Sequence, residues 1–380
     1  MKIGILTQPL YTNYGGLLQA FALQMVLKQM GHEVLTIDKR LREESLFKKI
    51  CSITKRFGFR IFCCKHTLIR VWPTIKEQNL IAQNTNRFIS ENIRITERID
   101  SLKSFSLLKK NDFEAYIVGS DQVWRPEYSP CITNYFLDFI DKKENVKRIA
   151  YSASFGVDNW EFSSKLTEQC ASFAKNFDAI SVREDSAVRL CKEYLGVDAN
   201  HVLDPTMLLP KEDYVKLVEK DNIPKSKGTL MTYVLDKSYE NTEIIEKIAK
   251  ELNLTPFSVM PEKTFSEVGK KCIEYCIFPP VTEWIRGFMD AAFVVTDSFH
   301  GTVFSIIFNK PFISIGNTRR GMTRFTSLLK IFGLEERLII SSNELTSEKI
   351  NTTIDFTRVN QIKKKKRQLA LMFLDKALNN

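Results

Sequence analysis

Residues 291–315 read AAFVVTDSFHGTVFSIIFNKPFISI, and this stretch decides the fold. A short apolar run, AAFVV, ends in a knot of polar residues: Thr296, Asp297, Ser298, His300 and Thr302. A longer apolar run of helical length follows, then Lys310-Pro311, then a third run, FISI. Short apolar runs bounded by turn residues read as buried strands, and the middle one reads as a helix. The unit is therefore strand–helix–strand, with one of only four histidines in the chain at the junction.

Outward from this unit the alternation continues in both directions. KIGILT (2–7) and EVLTID (33–38) flank a helix over 17–31 that follows a Gly-Gly turn. A polar helix is expected around 76–92. AYIVGS (115–120), RIAYSAS (148–154) and AISV (179–182) read as strands, a helix spans 184–196, and HVLDPTMLLP (201–210) closes this half. A second set has a strand at 229–236, a helix to about 252, a short strand near 255–260 and a helix over 281–290 before the quoted unit. The class is α/β, and the chain divides into two Rossmann-like domains facing a cleft, 1–210 and 211–355, with 356–380 as a closing C-terminal helix. In open parallel sheets ligands bind outside the carboxyl ends of the strands, and the polar clusters of this chain lie at such ends.

Composition narrows the function classes. The chain has 380 residues, 44% apolar and 26% charged, which is ordinary for a globular protein of two domains. No apolar run approaches the ~18–20 residues that cross a bilayer. The start, MKIGILTQPL, has too short an apolar stretch for a secretory leader, so the expected location is cytoplasmic. Eight cysteines form no paired CxxC framework, and Cys272-x3-Cys276 lacks a second half, so no metal site is expected. The net charge of +10 is concentrated in 39–76, which holds eleven Lys and Arg against two Glu. Apolar residues recur there at helical spacing between the basic ones. The segment is either a solvated insert or a basic amphipathic surface that rests on an anionic membrane. No nucleic-acid recognition motif accompanies it, and no nucleic-acid partner is expected.

Four clusters carry candidate chemistry. Asn13-Tyr14-Gly15-Gly16 places paired glycines before a helix, where backbone N–H groups approach an anion or where a tight turn simply needs them. Ser120-Asp121 with Trp124 joins a carboxylate for sugar hydroxyls to an aromatic that is either a sugar platform or core. Arg183 stands where a strand enters a helix, to clamp a carboxylate or phosphate or to pair with a nearby acid. Ser298-Phe299-His300-Gly301-Thr302 puts the histidine in the first turn of a helix at a strand end, with Asp297 three residues before it. Arg319, Arg320 and Arg324 follow the next strand and could complete an anion site.

With these clusters in this order, the sequence resembles the polysaccharide pyruvyl transferase family. The likeness runs from Asn13-Tyr14-Gly15-Gly16 through Gly119-Ser120-Asp121, Ser181-Val182-Arg183-Glu184 and Asp204-Pro205-Thr206 to Ser298-Phe299-His300-Gly301. It implies a GT-B-like architecture, with the acceptor on the 1–210 side and the donor on the 211–355 side. It implies transfer of pyruvate from phosphoenolpyruvate, as co-substrate and without other cofactor, to a sugar of a cell-surface polysaccharide precursor as a cyclic ketal. In that reading His300 is the general acid or phosphate-binding group, Arg183 clamps the donor, and Asp121 holds or activates the acceptor hydroxyl. The acceptor is a sugar, free or undecaprenyl-linked, and 39–76 would then park the enzyme at the inner face of the membrane. Some relatives read Arg-Leu-His-Gly where this chain has Ser298-Phe299-His300-Gly301, so an arginine is missing. The competing expectations are a GT-B nucleotide-sugar glycosyltransferase and a non-catalytic component of a polysaccharide assembly complex.

Overall fold

The computed structural model describes residues 1–40, 72–101, 103–317 and 321–379. Most of the basic 39–76 segment, and both Arg319 and Arg320, lie outside the described residues.

Two parallel sheets form the frame. The first contains β1 (Lys2–Leu6), β2 (Glu33–Thr36), β3 (Ala115–Val118), β4 (Lys147–Ala153), β5 (Ala179–Val182) and β6 (Asn200–His201), in the order β2-β1-β3-β4-β5-β6. The second contains β7 (Leu230–Tyr233), β8 (Pro256–Phe257), β9 (Phe293–Thr296), β10 (Phe312–Ile315) and β11 (Leu338–Ile339), in the order β11-β10-β9-β7-β8. The central strands β3, β9 and β10 are buried at every residue, as parallel strands covered on both faces must be. In each sheet the first strand is flanked by the second and third, so the strand order reverses beside β1 and again beside β7. At such a reversal the connections leave to opposite faces and a crevice opens at the carboxyl ends.

Local chemistry sets the helix bounds. The first helix is Tyr14–Gln29, capped by Asn13, whose side chain accepts from Gly16 N. It starts three residues before the expected Leu17, so Gly15 and Gly16 lie inside its first turn and not in a turn ahead of it. Gly31, at φ +90, takes the left-handed conformation that ends the segment. The polar stretch after residue 74 is two helices, Ile75–Ile81 and Gln83–Asn92, parted at Ala82.

The two halves share one apolar core. It runs from Ile3 and Leu17 in the first half to Trp284, Phe304 and Phe325 in the second, and on to Leu374 in the C-terminal helix Phe356–Asn379. Tyr14 is the joint. Its ring lies 5.7 Å from Trp284, 6.0 Å from Phe278 and 6.3 Å from Tyr233, and its hydroxyl donates to Pro279 O at 2.9 Å. Trp284 in turn packs edge-on to Phe288 at 4.6 Å and Phe304 at 4.9 Å. Among the described residues, no helix is long and apolar enough to cross a membrane.

Trp284 is fully buried, and its Nε1 finds no hydrogen-bond partner among the described residues, so its contribution is packing. Trp284→Ala is expected to lower stability by about 3–5 kcal/mol, whereas Trp284→Phe, which removes the unpaired N–H, should cost far less. Urea unfolding followed by circular dichroism checks both; equal losses would show that the indole N–H, and not ring packing, matters here.

Candidate active site

A cleft of ≈ 550 Å³ lies where the two strand-order reversals face each other. Gln8, Pro9 and Tyr11 to Asn13 after β1, and Asp121 and Gln122 after β3, form one wall. Tyr233 and Leu235 at the end of β7, and Asp297 to His300 after β9, form the other. Tyr11, Tyr128 and Phe278 add aromatic surface, and Arg324 reaches in from helix Thr323–Phe332.

His300 sits in the first turn of helix Phe299–Ile307. Ser298 caps that helix by accepting from Gly301 N. The ring is buried to 5% exposure, and its neighbours come from both halves. A Cβ on Gly15 would lie 2.1 Å from His300 Nδ1, so Gly15 is required for close approach of the first helix. Gly301 is held in the same way, since a Cβ there would meet Thr296 Oγ1 at 2.1 Å. Asp297, three residues before His300, accepts from Leu235 N at 2.7 Å and Asp236 N at 2.8 Å. That pairing anchors the turn after β7.

The acid that faces His300 is Asp204, fully buried just beyond β6. Its Oδ2 stands 3.6 Å from His300 Nε2. The same oxygen accepts from Arg183 Nη1 at 3.1 Å and Ser120 Oγ at 3.2 Å, while Oδ1 accepts from Thr206 N at 3.0 Å and Thr206 Oγ1 at 2.7 Å. Burial by itself raises a carboxyl, but His300, Arg183 and Thr206 outweigh it and hold Asp204 well below the usual carboxylate range.

Arg183 joins this layer to the cleft without entering it. Nη2 lies 3.4 Å from Asp121 Oδ1, and the guanidinium carbon sits 4.4 Å from the centre of the Phe299 ring. At 4% exposure, with Asp204 and Asp121 as partners, it is ion-paired here, the second of the two arrangements expected of it. Beside it, burial pushes the Glu184 carboxyl up, opposed by Arg183, the Ser154 hydroxyl and Arg324.

The remaining candidates sort by position. Asn13, Asp121, Ser298, Phe299 and His300 line the cleft. Tyr14 and Trp124 do not. Trp124 is fully buried, stacked on Phe136 at 4.9 Å, and donates Nε1–H to Tyr135 O, so it is core and offers no sugar platform. Ser120 is buried with its hydroxyl on Ser152 O and Asp204. Thr302 bonds Ser314 at 2.7 Å beneath the helix. Sequence reasoning missed Asp204 as a site residue, although Asp204-Pro205-Thr206 stands among the family motifs. Of the three arginines expected to complete an anion site, Arg324 is the one among the described residues, and it lines the cleft.

Three helices of at least nine residues open on the cleft at their N-terminal ends: Tyr14–Gln29 through Asn13, Phe299–Ile307 through Ser298, and Thr323–Phe332 through Arg324. First-turn N–H groups and the helix dipole favour an anion there. Among the described residues, no group of three His, Cys, Asp or Glu side chains is placed to hold a metal ion. The arrangement can hold an anionic ligand, present a histidine to it, and offer Asp121 to a hydroxyl.

Comparison with known proteins adds identity to this geometry. A family profile described as polysaccharide pyruvyl transferase matches residues 13–319. No curated protein sequence matches the chain. Among solved structures, the UDP-GlcNAc 2-epimerase from Neisseria meningitidis bound to UDP-GlcNAc is similar over 100% of this chain and 99% of its own, with a TM-score of 0.51 and 10% identity. A glycosyltransferase from Rickettsia africae is similar over 100% and 99%, with 13% identity and a TM-score of 0.48. At such identities the likeness is one of fold, and the paired Rossmann-like, GT-B-like architecture expected from the sequence is the one found.

Asp204 gives a test of the buried layer. Its folded carboxyl is held below the unfolded value, so the stability from its charge is complete above the ordinary Asp value of about 3.9 and is lost as pH falls below it. Asp204→Asn should cost about 3–5 kcal/mol at neutral pH, and the gap to wild type should narrow below about pH 4. Chemical denaturation across pH reads this directly; a gap that does not change with pH would remove the charge from the account.

Proposed function

The chain belongs to the polysaccharide pyruvyl transferase family, and from that premise we propose that it moves pyruvate from phosphoenolpyruvate onto two hydroxyls of a sugar in a polysaccharide precursor, forming a cyclic ketal. The observation that carries this reading is His300: a buried histidine at a helix N-terminus, lining a cleft onto which two further helix N-termini open. Phosphoenolpyruvate carries a phosphate and a carboxylate on a three-carbon enol, and a cleft with that electrostatics suits it.

The chemistry balances with the groups present. C3 of the enol takes a proton and becomes the methyl group, while one sugar hydroxyl adds to C2 and gives up its proton. Phosphate then leaves C2 with its bridging oxygen, and the second hydroxyl adds to the same carbon as its proton departs. One ketal and one phosphate result, with no change of oxidation state. His300 is the proposed acid at C3, because histidine exchanges protons near neutrality. Asp204 stands 3.6 Å behind its buried Nε2 and steadies the ring, while Nδ1, on the Gly15 side, is the nitrogen proposed to give the proton. Asp121 is the proposed acceptor of the hydroxyl proton. Arg183 is a positioning residue in this scheme, keeping Asp121, Asp204 and the Phe299 ring in place. The acceptor is proposed to be a precursor of a surface polysaccharide, reached at the membrane if it is undecaprenyl-linked.

His300→Ala should lower pyruvyl transfer by about 10²–10⁴-fold, with some loss of melting temperature because the buried ring also faces Asp204. Label from phosphoenolpyruvate entering the glycan-precursor pool, with stoichiometric phosphate release, measures it. Release of nucleoside diphosphate from a nucleotide-sugar, with no label transferred, would replace this reading by glycosyl transfer.

A further inference from the structure

We infer that Arg324 is the residue that holds the anionic group of the donor. The inference rests on the donor proposed above and gives one of its contacts to a side chain outside the motifs.

Among the described residues, Arg324 is the only lysine or arginine that lines the cleft. It belongs to the first turn of helix Thr323–Phe332, one of the three whose N-terminal ends open there, so its charge and the helix dipole act at one place. Its guanidinium carbon lies 5.9 Å from the centre of the Phe299 ring, the ring that Arg183 approaches at 4.4 Å. Arg183 is matched by Asp204 at 3.1 Å and Asp121 at 3.4 Å, and it sits behind the cleft wall. Burial, then the Arg183 charge, press the Arg324 guanidinium down to about 10, opposed by Asp121, Glu184 and Tyr128, which leaves it cationic at neutral pH.

The backbone before Arg324 is built to hold it across the cleft. Gly321 adopts φ +93, and a Cβ there would lie 1.8 Å from Gly156 O. Gly156 itself, at φ +75, leaves no room for a Cβ beside Gln122 Oε1 at 2.0 Å. The turn carrying Arg324 from the second half thus rests directly on the first half, beside the Asp121-Gln122 wall. Ser298, which lines the same cleft, carries no charge; Arg324 supplies the cation there.

Calorimetry with the full chain tests this, using phosphoenolpyruvate and, separately, inorganic phosphate as titrants. Wild type is compared with Arg324→Ala, Arg324→Gln and Arg324→Lys, all first checked for wild-type melting. Arg324→Ala and Arg324→Gln should weaken both ligands by about 10- to 100-fold, and Arg324→Lys should restore part of the loss. In turnover the same loss should fall mainly on KM for the donor. If wild type binds phosphoenolpyruvate and the Gln variant binds it equally well, Arg324 is not the anion-holding residue and the donor reading stands. If wild type binds phosphate in an Arg324-dependent way but not phosphoenolpyruvate, the residue assignment stands and the donor falls. Binding of neither titrant overturns both.

Discussion

The structure turns on one buried carboxylate. Asp204 has no exposed side-chain surface, and a charge so placed is costly unless every lone pair finds a partner. Its partners come from the end of β3 (Ser120), the end of β5 (Arg183), its own turn (Thr206) and, across the molecule, the helix that begins at Phe299. Each of these elements is therefore fixed relative to one point. The cleft lies directly in front of that point, so its geometry is inherited from the requirement to satisfy Asp204 and Arg183.

Much of this is legible in the sequence, and the reason is physical. Strands buried on both faces must be largely apolar, so AYIV, FVVT and FISI announce themselves. Ligand sites at carboxyl ends follow from the parallel alternation, which is why the pattern of strands and helices alone brings Asn13, Asp121 and His300 near one another. What stays hidden is pairing over long separations. Asp297 is near His300 in sequence and is its natural candidate partner, yet it satisfies two amides after β7, and Asp204 from the other half takes the place. Trp124 and Arg183 look the same in sequence whether buried or exposed. Only the stacking on Phe136 and the two carboxylates decide them. Gly15 is marked in the sequence as half of a glycine pair, but the reason for it is not, because what it avoids is a ring from the far side of the cleft.

The division of labour among charged groups follows from depth. Behind the wall, Arg183, Asp204 and Glu184 are all but solvent-free, and their charges are spent on one another. At the wall, Asp121, His300 and Arg324 are nearly as buried but border open volume. Phe299 connects the two tiers, since both guanidiniums approach its ring. A buried tier of opposite charges makes a stiff support, and a stiff support is what a proton-transferring group needs if it is not to reorganise during reaction.

The shared apolar core makes the same demand at larger scale. Displacements of about 1 Å cost a positioned catalyst heavily, and here the group in question is clasped between halves of the molecule. Gly15 can sit against His300 only if the first helix keeps its seat, and that seat is the ring cluster of Tyr14 with Tyr233, Phe278 and Trp284. Close-packed aromatic contacts tolerate little sliding. The residues that set the position of His300 therefore include rings that never meet a ligand. Tyr14, a candidate binding residue by its sequence motif, serves the site from inside this core.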